Sequence, residues 1–176
     1  MAIVIKDNIQ YNHQFDEKTN RHYINGILSV LHCHHYTCLY TQLALDAGET
    51  DLLKECARES FRDLLIQYFS KHPEHSTIKE KVTIASQYYS LLGLGKMNVK
   101  FIGKFSGAVE LPFSHTDSGW VKKWGVYDKP INYISGGFIE ALFAVCLDMS
   151  PNSFQAVEEQ SIVMGAPTSF FKVTRR

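Results

Sequence analysis

The sequence predicts a single domain that combines helices with β-hairpins, and three observations support that prediction. The chain has 176 residues, of which 45% are hydrophobic and 20% are charged, and this composition suits one globular domain with its own core. Residues 24–95 carry successive helical patterns, in which apolar residues recur every three or four positions. Residues 97–111 and 153–174 each contain two β-favouring segments separated by a turn.

The beginning of the chain is the least regular part of this pattern. Residues 1–23 alternate short apolar runs with polar residues, so we predict an N-terminal arm or a short strand there. A first helix is predicted from Ile24, or from a few residues later, to Gly48, which is a good C-terminal stop. The sequence leaves its start open, because Asn25-Gly26 can begin or precede the helix, and a helix that begins near His32 suits the pattern equally.

Two further amphipathic helices complete a helical layer over residues 24–95. Thr50-Asp51 caps the second helix and Pro73 ends it, whereas Ser76-Thr77 opens the third helix and Gly93 closes it. Aromatic side chains on the inner faces of these helices either fill a core or line a cavity, and we expect them to fill the core. These aromatic residues are Tyr68, Phe69, Tyr88 and Tyr89.

The second half of the chain begins with a predicted hairpin, whose strands cover residues 97–103 and 104–111 and end where Pro112 interrupts the second strand. A turn and a short helix with two tryptophans follow. Residues 131–149 form a strongly apolar helix that we expect to be the buried central one, and Gly136-Gly137 near its start allows another backbone or a ligand to approach closely. Two last strands are predicted at residues 153–163 and 168–174.

The segment of residues 31–38 is the one place where metal-coordinating side chains are dense, with three of the eight histidines and two of the four cysteines. On a helix, His34 and Cys38 are four positions apart and His35 and Cys38 are three apart, so these pairs share a face. Imidazole nitrogen and thiolate sulfur suit zinc, iron or copper. The predicted metal ligands are His32, His34, His35 and Cys38, with His115 or a carboxylate completing the set.

A structural role for the same segment stays open. Leu31, His35, Cys38 and Gln42 also recur at helical spacing, so His35 and Cys38 can be packing residues on the inner face of an amphipathic helix. The spacing also differs from that of zinc fingers, in which two ligand pairs lie far apart in the sequence. If a metal is bound, we expect zinc or iron, and haem iron is not excluded.

Charge and composition argue against nucleic-acid binding, secretion and membrane insertion. Eighteen basic residues balance eighteen acidic ones, so no overall positive charge attracts nucleic acid, and we expect no nucleic-acid partner. The N-terminus lacks the pattern of a signal peptide, and no apolar stretch approaches the roughly 20 residues that span a bilayer. We therefore expect a soluble, cytoplasmic protein without a membrane span, whose cysteines are reduced.

Several pieces of the second half, taken together in their order and spacing, resemble the V4R, or 4-vinyl reductase, domain. These pieces are residues 114–120 with 129–130, residues 136–142, residues 157–159, and residues 164–167 with 170–173. The resemblance makes residues 96–176 a V4R-like core within a single domain of residues 1–176. It implies an α/β fold of the α+β type, with helices packed on an antiparallel sheet, dimerisation through helices, and an apolar pocket for a hydrocarbon or aromatic ligand.

The resemblance also implies a particular zinc position. Many sensor members of this family hold zinc with one cysteine ahead of the glycine-rich helix, two cysteines in the last hairpin and an acidic residue. In this chain the first position falls near Asn132 and the hairpin positions fall at Ser161 and Ser169, with Glu158 or Glu159 as the acidic residue. Because serine is a poor zinc ligand beside thiolate, we expect packing and strand pairing alone to hold this hairpin.

Three functions follow from the sequence. The first is a homodimeric domain that binds a small apolar, aromatic or tetrapyrrole-like molecule and acts as a sensor, carrier or assembly factor. The second is a zinc- or iron-dependent enzyme or a haem-binding protein that uses residues 32–38. The third is a structural partner subunit. The sequence has no Gly-x-Ser-x-Gly or phosphate-loop motif, and whether it catalyses a reaction stays open.

Overall fold

The computed structural model describes residue 9, residues 11–30 and residues 33–176. Antiparallel strands and helices follow one another along this part of the chain. The strands are β1 His13–Asp16, β2 Arg21–Ile24, β3 Ile27–Ser29, β4 Gly95–Ile102, β5 Ser106–Ser114, β6 Phe154–Gln160 and β7 Ser169–Arg175. The helices are α1 His34–Ala47, α2 Thr50–Lys71, α3 Ile78–Leu91, α4 His115–Trp124 and α5 Tyr133–Cys146, with a 3₁₀ turn at Ile162–Met164.

The first helix begins at His34, close to the alternative start near His32, and a start at Ile24 is wrong. Asn25 and Gly26 both adopt positive φ, at 51° and 79°, and join β2 to β3 as a two-residue turn. Asn-Gly is the preferred sequence for such a turn, because both residues tolerate this backbone conformation. Strands β1, β2 and β3 form a small antiparallel sheet, so the predicted helical layer of residues 24–95 begins with strand rather than helix.

The second and third helices form as the sequence predicts. Helix α2 ends at Lys71, two residues before Pro73. Thr77 caps α3 in a capping box, in which its hydroxyl oxygen accepts from the Glu80 backbone N–H while the Glu80 carboxylate accepts from the Thr77 backbone N–H. Local side-chain chemistry alone accounts for these boundaries.

Helix α5 is the buried centre of the helical layer and packs against α2. A Cβ atom on Gly137 would collide with the backbone oxygen of Lys54 and would lie 2.8 Å from the backbone nitrogen of Arg58. The predicted close approach at Gly136-Gly137 is therefore confirmed, and the neighbour is the backbone of α2. The absence of a side chain at Gly137 allows the two helices to touch.

The second sheet has the strand order β4-β5-β7-β6, with all neighbours antiparallel. Strand β5 continues through Pro112 to Ser114, contrary to the prediction that Pro112 ends it. The pairing of β5 with β7 stops at Leu111, and the register with β4 shifts opposite Pro112. A proline is tolerated at such a bulge because no ladder hydrogen bond is required from its nitrogen.

The main core lies between this sheet and helices α2, α3 and α5. It is built from buried apolar side chains of all three helices and of all four strands. The predicted α+β class, with helices packed on an antiparallel sheet, is confirmed. In the described part of the chain, no helix combines the length and the apolar character needed to cross a membrane.

Candidate functional site

The predicted metal segment lies where α1 meets α4. The rings of His34 and His35 are 4.2 Å apart, and the ring of His115 meets His34 edge-on at 6.1 Å. Cys38 is buried, and its thiol donates to the backbone oxygen of Thr116 at 3.8 Å. The fold therefore brings three of the predicted histidines together, while Cys38 points into the α1–α4 contact.

The packing role of Cys38 is clear from its surroundings. It belongs to a small apolar cluster with Trp120, Ile131 and Val163. A Cβ atom on Gly119 would lie 2.9 Å from the Cys38 sulfur, so the two helices touch at this point. Burial raises the pKa of the Cys38 thiol, which disfavours the thiolate that a metal requires.

Among the residues that the structure describes, no three histidine, cysteine, aspartate or glutamate side chains are arranged to hold a metal ion. Desolvation, followed by the neighbouring charges of His35, Lys122 and His115, lowers the pKa of His34. The fourth predicted ligand, His32, lies outside the described residues. Zinc, iron or haem at this segment therefore stays a prediction.

An apolar cavity of about 430 Å³ lies beside this segment, where the small sheet, all five helices and the α3–β4 loop meet. Its walls are mostly aliphatic and aromatic. The lining residues are Ile24, Ser29, Val30, Thr37, Tyr40, Phe61, Leu91, Leu92, Gly93, Leu94, His115 and Ile134. Pockets that hold small ligands have volumes of about 300–1,000 Å³ and a similar apolar wall with few polar groups.

Ser29, Thr37, Tyr40 and His115 bring polar side chains to the cavity wall, and two of them lie near helix starts. His115 is the first residue of α4, and its backbone N–H donates to the Leu94 oxygen at 2.9 Å, which ties α4 to the loop after α3. Thr37 is buried on the second turn of α1. A hydroxyl and an imidazole on a largely apolar wall can orient a ligand that carries one polar group.

A second, more open hollow of about 520 Å³ adjoins the cavity. Ser29, Val30, Phe61 and Leu92 line both spaces. A ligand with a long apolar chain therefore has room beyond the cavity itself.

The sequence singled out His115 among the cavity residues but not the others. The aromatic residues that the sequence predicts for a core or a cavity do not line this cavity. Tyr89 is fully buried in the main core with its hydroxyl 2.8 Å from that of Ser135, and Tyr68 and Tyr88 pack together in a separate cluster. Phe69 is partly buried against both clusters, and the predicted core role is confirmed for the three buried tyrosines.

A buried polar network lies behind the cavity, at the positions where the resemblance places zinc ligands. The side-chain nitrogen of Asn132 donates to Asp117 Oδ2 and to Glu158 Oε1, both at 2.8 Å, and lies 3.3 Å from Ser169 Oγ. The Ser114 hydroxyl donates to Asn132 Oδ1 at 2.8 Å, and the Ser169 hydroxyl donates to Asp117 Oδ2 at 2.9 Å. The expectation that packing and strand pairing alone hold the last hairpin is therefore wrong.

Burial raises the pKa of both carboxyl groups in this network, those of the fully buried Asp117 and the half-buried Glu158, because desolvation disfavours the charged form. Asp117 Oδ1 and Ser161 Oγ are buried without a hydrogen-bond partner in the described part of the chain. Glu159, the alternative acidic residue, lies exposed near Lys172 instead.

Asp117 is the member of this network that the sequence analysis missed. Its signal is the spacing from Ser114, because the Asp117 backbone N–H donates to the Ser114 hydroxyl at 3.1 Å and caps α4. A serine followed three residues later by an acidic residue is typical of a helix start. That pattern predicts the cap but not the partner in the last hairpin.

Comparisons with known proteins extend the description of the fold. No family model and no curated protein matches the chain. Among solved structures, the phenol-responsive sensory domain of the transcription activator PoxR, solved with phenol, has a TM-score of 0.74 at 13% identity. That alignment covers 93% of this chain and 84% of the PoxR chain.

Two further structures are similar over most of their length. A vinyl-4-reductase family protein from Methanocaldococcus jannaschii has a TM-score of 0.56 at 15% identity, with 84% of each chain covered. Trafficking protein particle complex subunit 3 from Naegleria fowleri, covalently bound to palmitic acid, has a TM-score of 0.54 at 16% identity, with 81% of this chain and 91% of that chain covered. The V4R-like fold that the sequence resemblance implies is therefore the fold of this chain.

Proposed function

We propose that this chain is a ligand-binding domain for a small apolar or aromatic molecule with one polar group, and that it acts as a sensor, carrier or assembly factor. The observation that carries the proposal is the apolar cavity of about 430 Å³ with Thr37 and His115 in its wall. Burial of apolar ligand surface supplies about 25 cal/mol per Å². The hydroxyl and the imidazole select a ligand whose polar group meets them.

The structural neighbours support the same class of ligand. One is a phenol-responsive domain solved with phenol, and another carries a covalently bound palmitic acid. The cavity has room for a compact aromatic alcohol, while the adjoining hollow provides space for an acyl chain. We favour the compact aromatic ligand, because Thr37 and His115 offer hydrogen bonds inside the cavity.

Calorimetric titration of the purified protein with phenol and with palmitic acid tests the proposal. We expect phenol to bind, and Leu94→Trp to weaken that binding at least tenfold because the indole fills the cavity, a loss of about 1.4 kcal/mol. Val126→Trp is the matched control, since Val126 is 76% exposed and does not line the cavity. Absence of binding by both ligands, or equal binding by the Leu94→Trp and Val126→Trp variants, contradicts the proposal.

Two variants test the polar groups with little change in the cavity volume. Thr37→Val removes a hydroxyl and His115→Leu removes the ring nitrogens, and each new side chain is close in volume to the native one. A lost hydrogen bond of about 0.5–1.5 kcal/mol predicts a twofold to tenfold weaker affinity for phenol. The affinity for toluene, which lacks the hydroxyl, should stay the same.

A homodimer is part of the same proposal, and the exposed face of α1 is its candidate surface. Tyr36, Leu39, Tyr40 and Leu43 are exposed large hydrophobic residues with i, i+3, i+4 and i+7 spacing. The occupant that we propose is a second copy of this chain, because the sequence resemblance implies dimerisation through helices. The molar mass from light scattering should be that of a dimer in the native protein and that of a monomer in Leu39→Lys/Leu43→Lys. Leu52→Lys, at an exposed position of α2, should stay dimeric.

A further inference from the structure

The polar network around Asn132 occupies the place at which the sequence resemblance puts a zinc ion, and its chemistry does not suit that ion. No thiolate is present at residues 132, 161 or 169. The central group is an amide nitrogen, which carries two hydrogens and has no lone pair to offer a metal. These hydrogens point at the Asp117 and Glu158 carboxyl oxygens that a cation would need.

The orientation of the amide follows from its surroundings. The Ser114 hydroxyl donates to Asn132 Oδ1 at 2.8 Å, and its oxygen accepts from the Asp117 backbone N–H. With the amide reversed, the side-chain oxygen would face the Asp117 and Glu158 carboxyl oxygens, and both carboxyl groups would lose their amide donor. The network therefore determines which end of the amide lies inside.

We propose that the side-chain NH₂ group of Asn132 takes the place of a metal ion and that this chain holds its last hairpin without one. Three oxygen atoms surround this nitrogen, two from carboxyl groups at 2.8 Å and one from Ser169 at 3.3 Å. The positive end of the amide dipole lies at their centre. Glu158 accepts two hydrogen bonds from Asn132. Its Oε1 accepts from the side-chain nitrogen, and its Oε2 accepts from the backbone N–H at 3.1 Å.

The amide joins the elements that a metal would otherwise join. Ser114 and Asn132 are the N-cap residues of α4 and α5, whereas Glu158 lies on β6 and Ser169 begins β7. The Ser169 hydroxyl oxygen also accepts from the Ile162 backbone N–H at 3.0 Å, which anchors the turn between β6 and β7. Loss of the amide therefore loosens the helix starts and the hairpin together.

The native protein gives the first test of this inference. Protein purified without a histidine tag from zinc-supplemented medium should contain no stoichiometric metal at residues 114–169. Its thermal midpoint should be the same with and without EDTA. A midpoint that falls on chelation and returns with zinc would overturn the inference if it does so equally in a variant that lacks the candidate ligands of residues 32–38. Since residues 32–38 are the other candidate metal site, the metal analysis is repeated on a His34→Ala/His35→Ala/Cys38→Ala variant.

A variant tests the amide itself. Asn132→Asp replaces the central donor with a third carboxyl group, and we expect the thermal midpoint at pH 7 to fall by about 6–12 °C because buried carboxyl groups lose their partner. Asn98→Asp is the matched control, because the Asn98 amide donates to Glu110 at 3.3 Å in a partly exposed pair. An Asn132→Asp midpoint equal to that of Asn98→Asp would overturn the role of the amide.

A variant designed to bind zinc tests whether the Asn132 amide lies at the metal position. The variant Asn132→Cys/Ser161→Cys/Ser169→Cys combines three thiols with Glu158, a set that suits zinc. We expect it to bind one zinc ion per chain and to become sensitive to chelation. A folded triple variant that takes up no zinc would overturn the correspondence between the amide and the metal position.

Discussion

Arg58 and Glu140 meet across the α2–α5 contact with 3.0 Å between Nη1 and Oε2, and the Glu140 side chain is completely buried. Lys54 lies 2.7 Å from the other carboxylate oxygen, which also accepts from the Ala156 backbone N–H at 2.9 Å. One carboxylate thus connects α2, α5 and β6. Arg176 lies 3.9 Å from the same oxygen as Lys54, so the carboxylate has three cationic partners, and its loss leaves buried positive charge without compensation.

We expect Glu140→Gln to lower the free energy of unfolding by about 3–5 kcal/mol, the usual loss when one partner of a buried ion pair is removed. Urea unfolding followed by circular dichroism measures the change. Glu55→Gln is the control, because Glu55 pairs with the same Arg58 at 3.3 Å but is 51% exposed. That change should stay within about 1 kcal/mol. Equal losses of unfolding free energy in Glu140→Gln and Glu55→Gln would contradict the conclusion that burial makes the Glu140 ion pair the stronger one.

The two glycines at the start of α5 should respond differently to the same substitution. In Gly137→Ala the added carbon meets the backbone of Lys54 and Arg58, which cannot move aside, so we expect a loss of at least about 2–3 kcal/mol. In Gly136→Ala it lies 3.1 Å from Lys54 Cε, a side-chain atom that can shift by a few tenths of an ångström more easily than a backbone atom. We expect a change there of less than about 1 kcal/mol, since alanine also favours the helix. Urea unfolding measures both changes. A larger loss of unfolding free energy in Gly136→Ala than in Gly137→Ala would contradict this packing.

The four cysteines should fall into two classes with a thiol reagent such as DTNB. Cys33 and Cys56 are exposed, whereas Cys38 and Cys146 are buried, and burial raises the pKa of Cys146 to about 12. Because the thiolate is the reactive form, we expect about two rapid reactions per native chain at pH 8 and about four after unfolding in guanidinium. Cys33→Ser should reduce the native count by one. A rapid reaction at Cys38 would contradict its place in the α1–α4 contact.

The capping box of α3 predicts a specific dependence on pH. Hydrogen bonds from the backbone and then the hydroxyl of Thr77 lower the pKa of Glu80. A lowered carboxyl pKa in the folded state stabilises the protein above the ordinary pKa of about 4.3 and loses that effect as pH falls through the folded-state value. Native protein should therefore be more stable than Glu80→Gln at pH 7, and the difference should shrink below pH 4.

Thermal unfolding between pH 3 and pH 7 measures that difference. Glu59→Gln, at an exposed position of α2, is the control. The difference in thermal midpoint between this variant and the native protein should vary little with pH. If the difference in thermal midpoint between the native protein and Glu80→Gln does not change with pH, the lowered pKa of Glu80 is contradicted.

Some parts of this protein follow from local chemistry, and the sequence predicts those well. The capping residues of α3 and the end of α2 before Pro73 depend on side chains that are close in the sequence. The order of helices and hairpins depends on local periodicity in the same way. The Asn25-Gly26 turn was also visible in the sequence, but its helical surroundings favoured the wrong interpretation.

The functional features depend on contacts between residues that are distant in the chain, and only the tertiary structure decides them. The cavity combines positions from residue 24 to residue 134, and the network joins Asp117 to Ser169, which are 52 positions apart. The sequence by itself determined the class of fold and the residues at the family's zinc positions. The fold decided that these polar residues bond to one another, because burial leaves a polar group no solvent partner and makes its neighbours in space its hydrogen-bond partners.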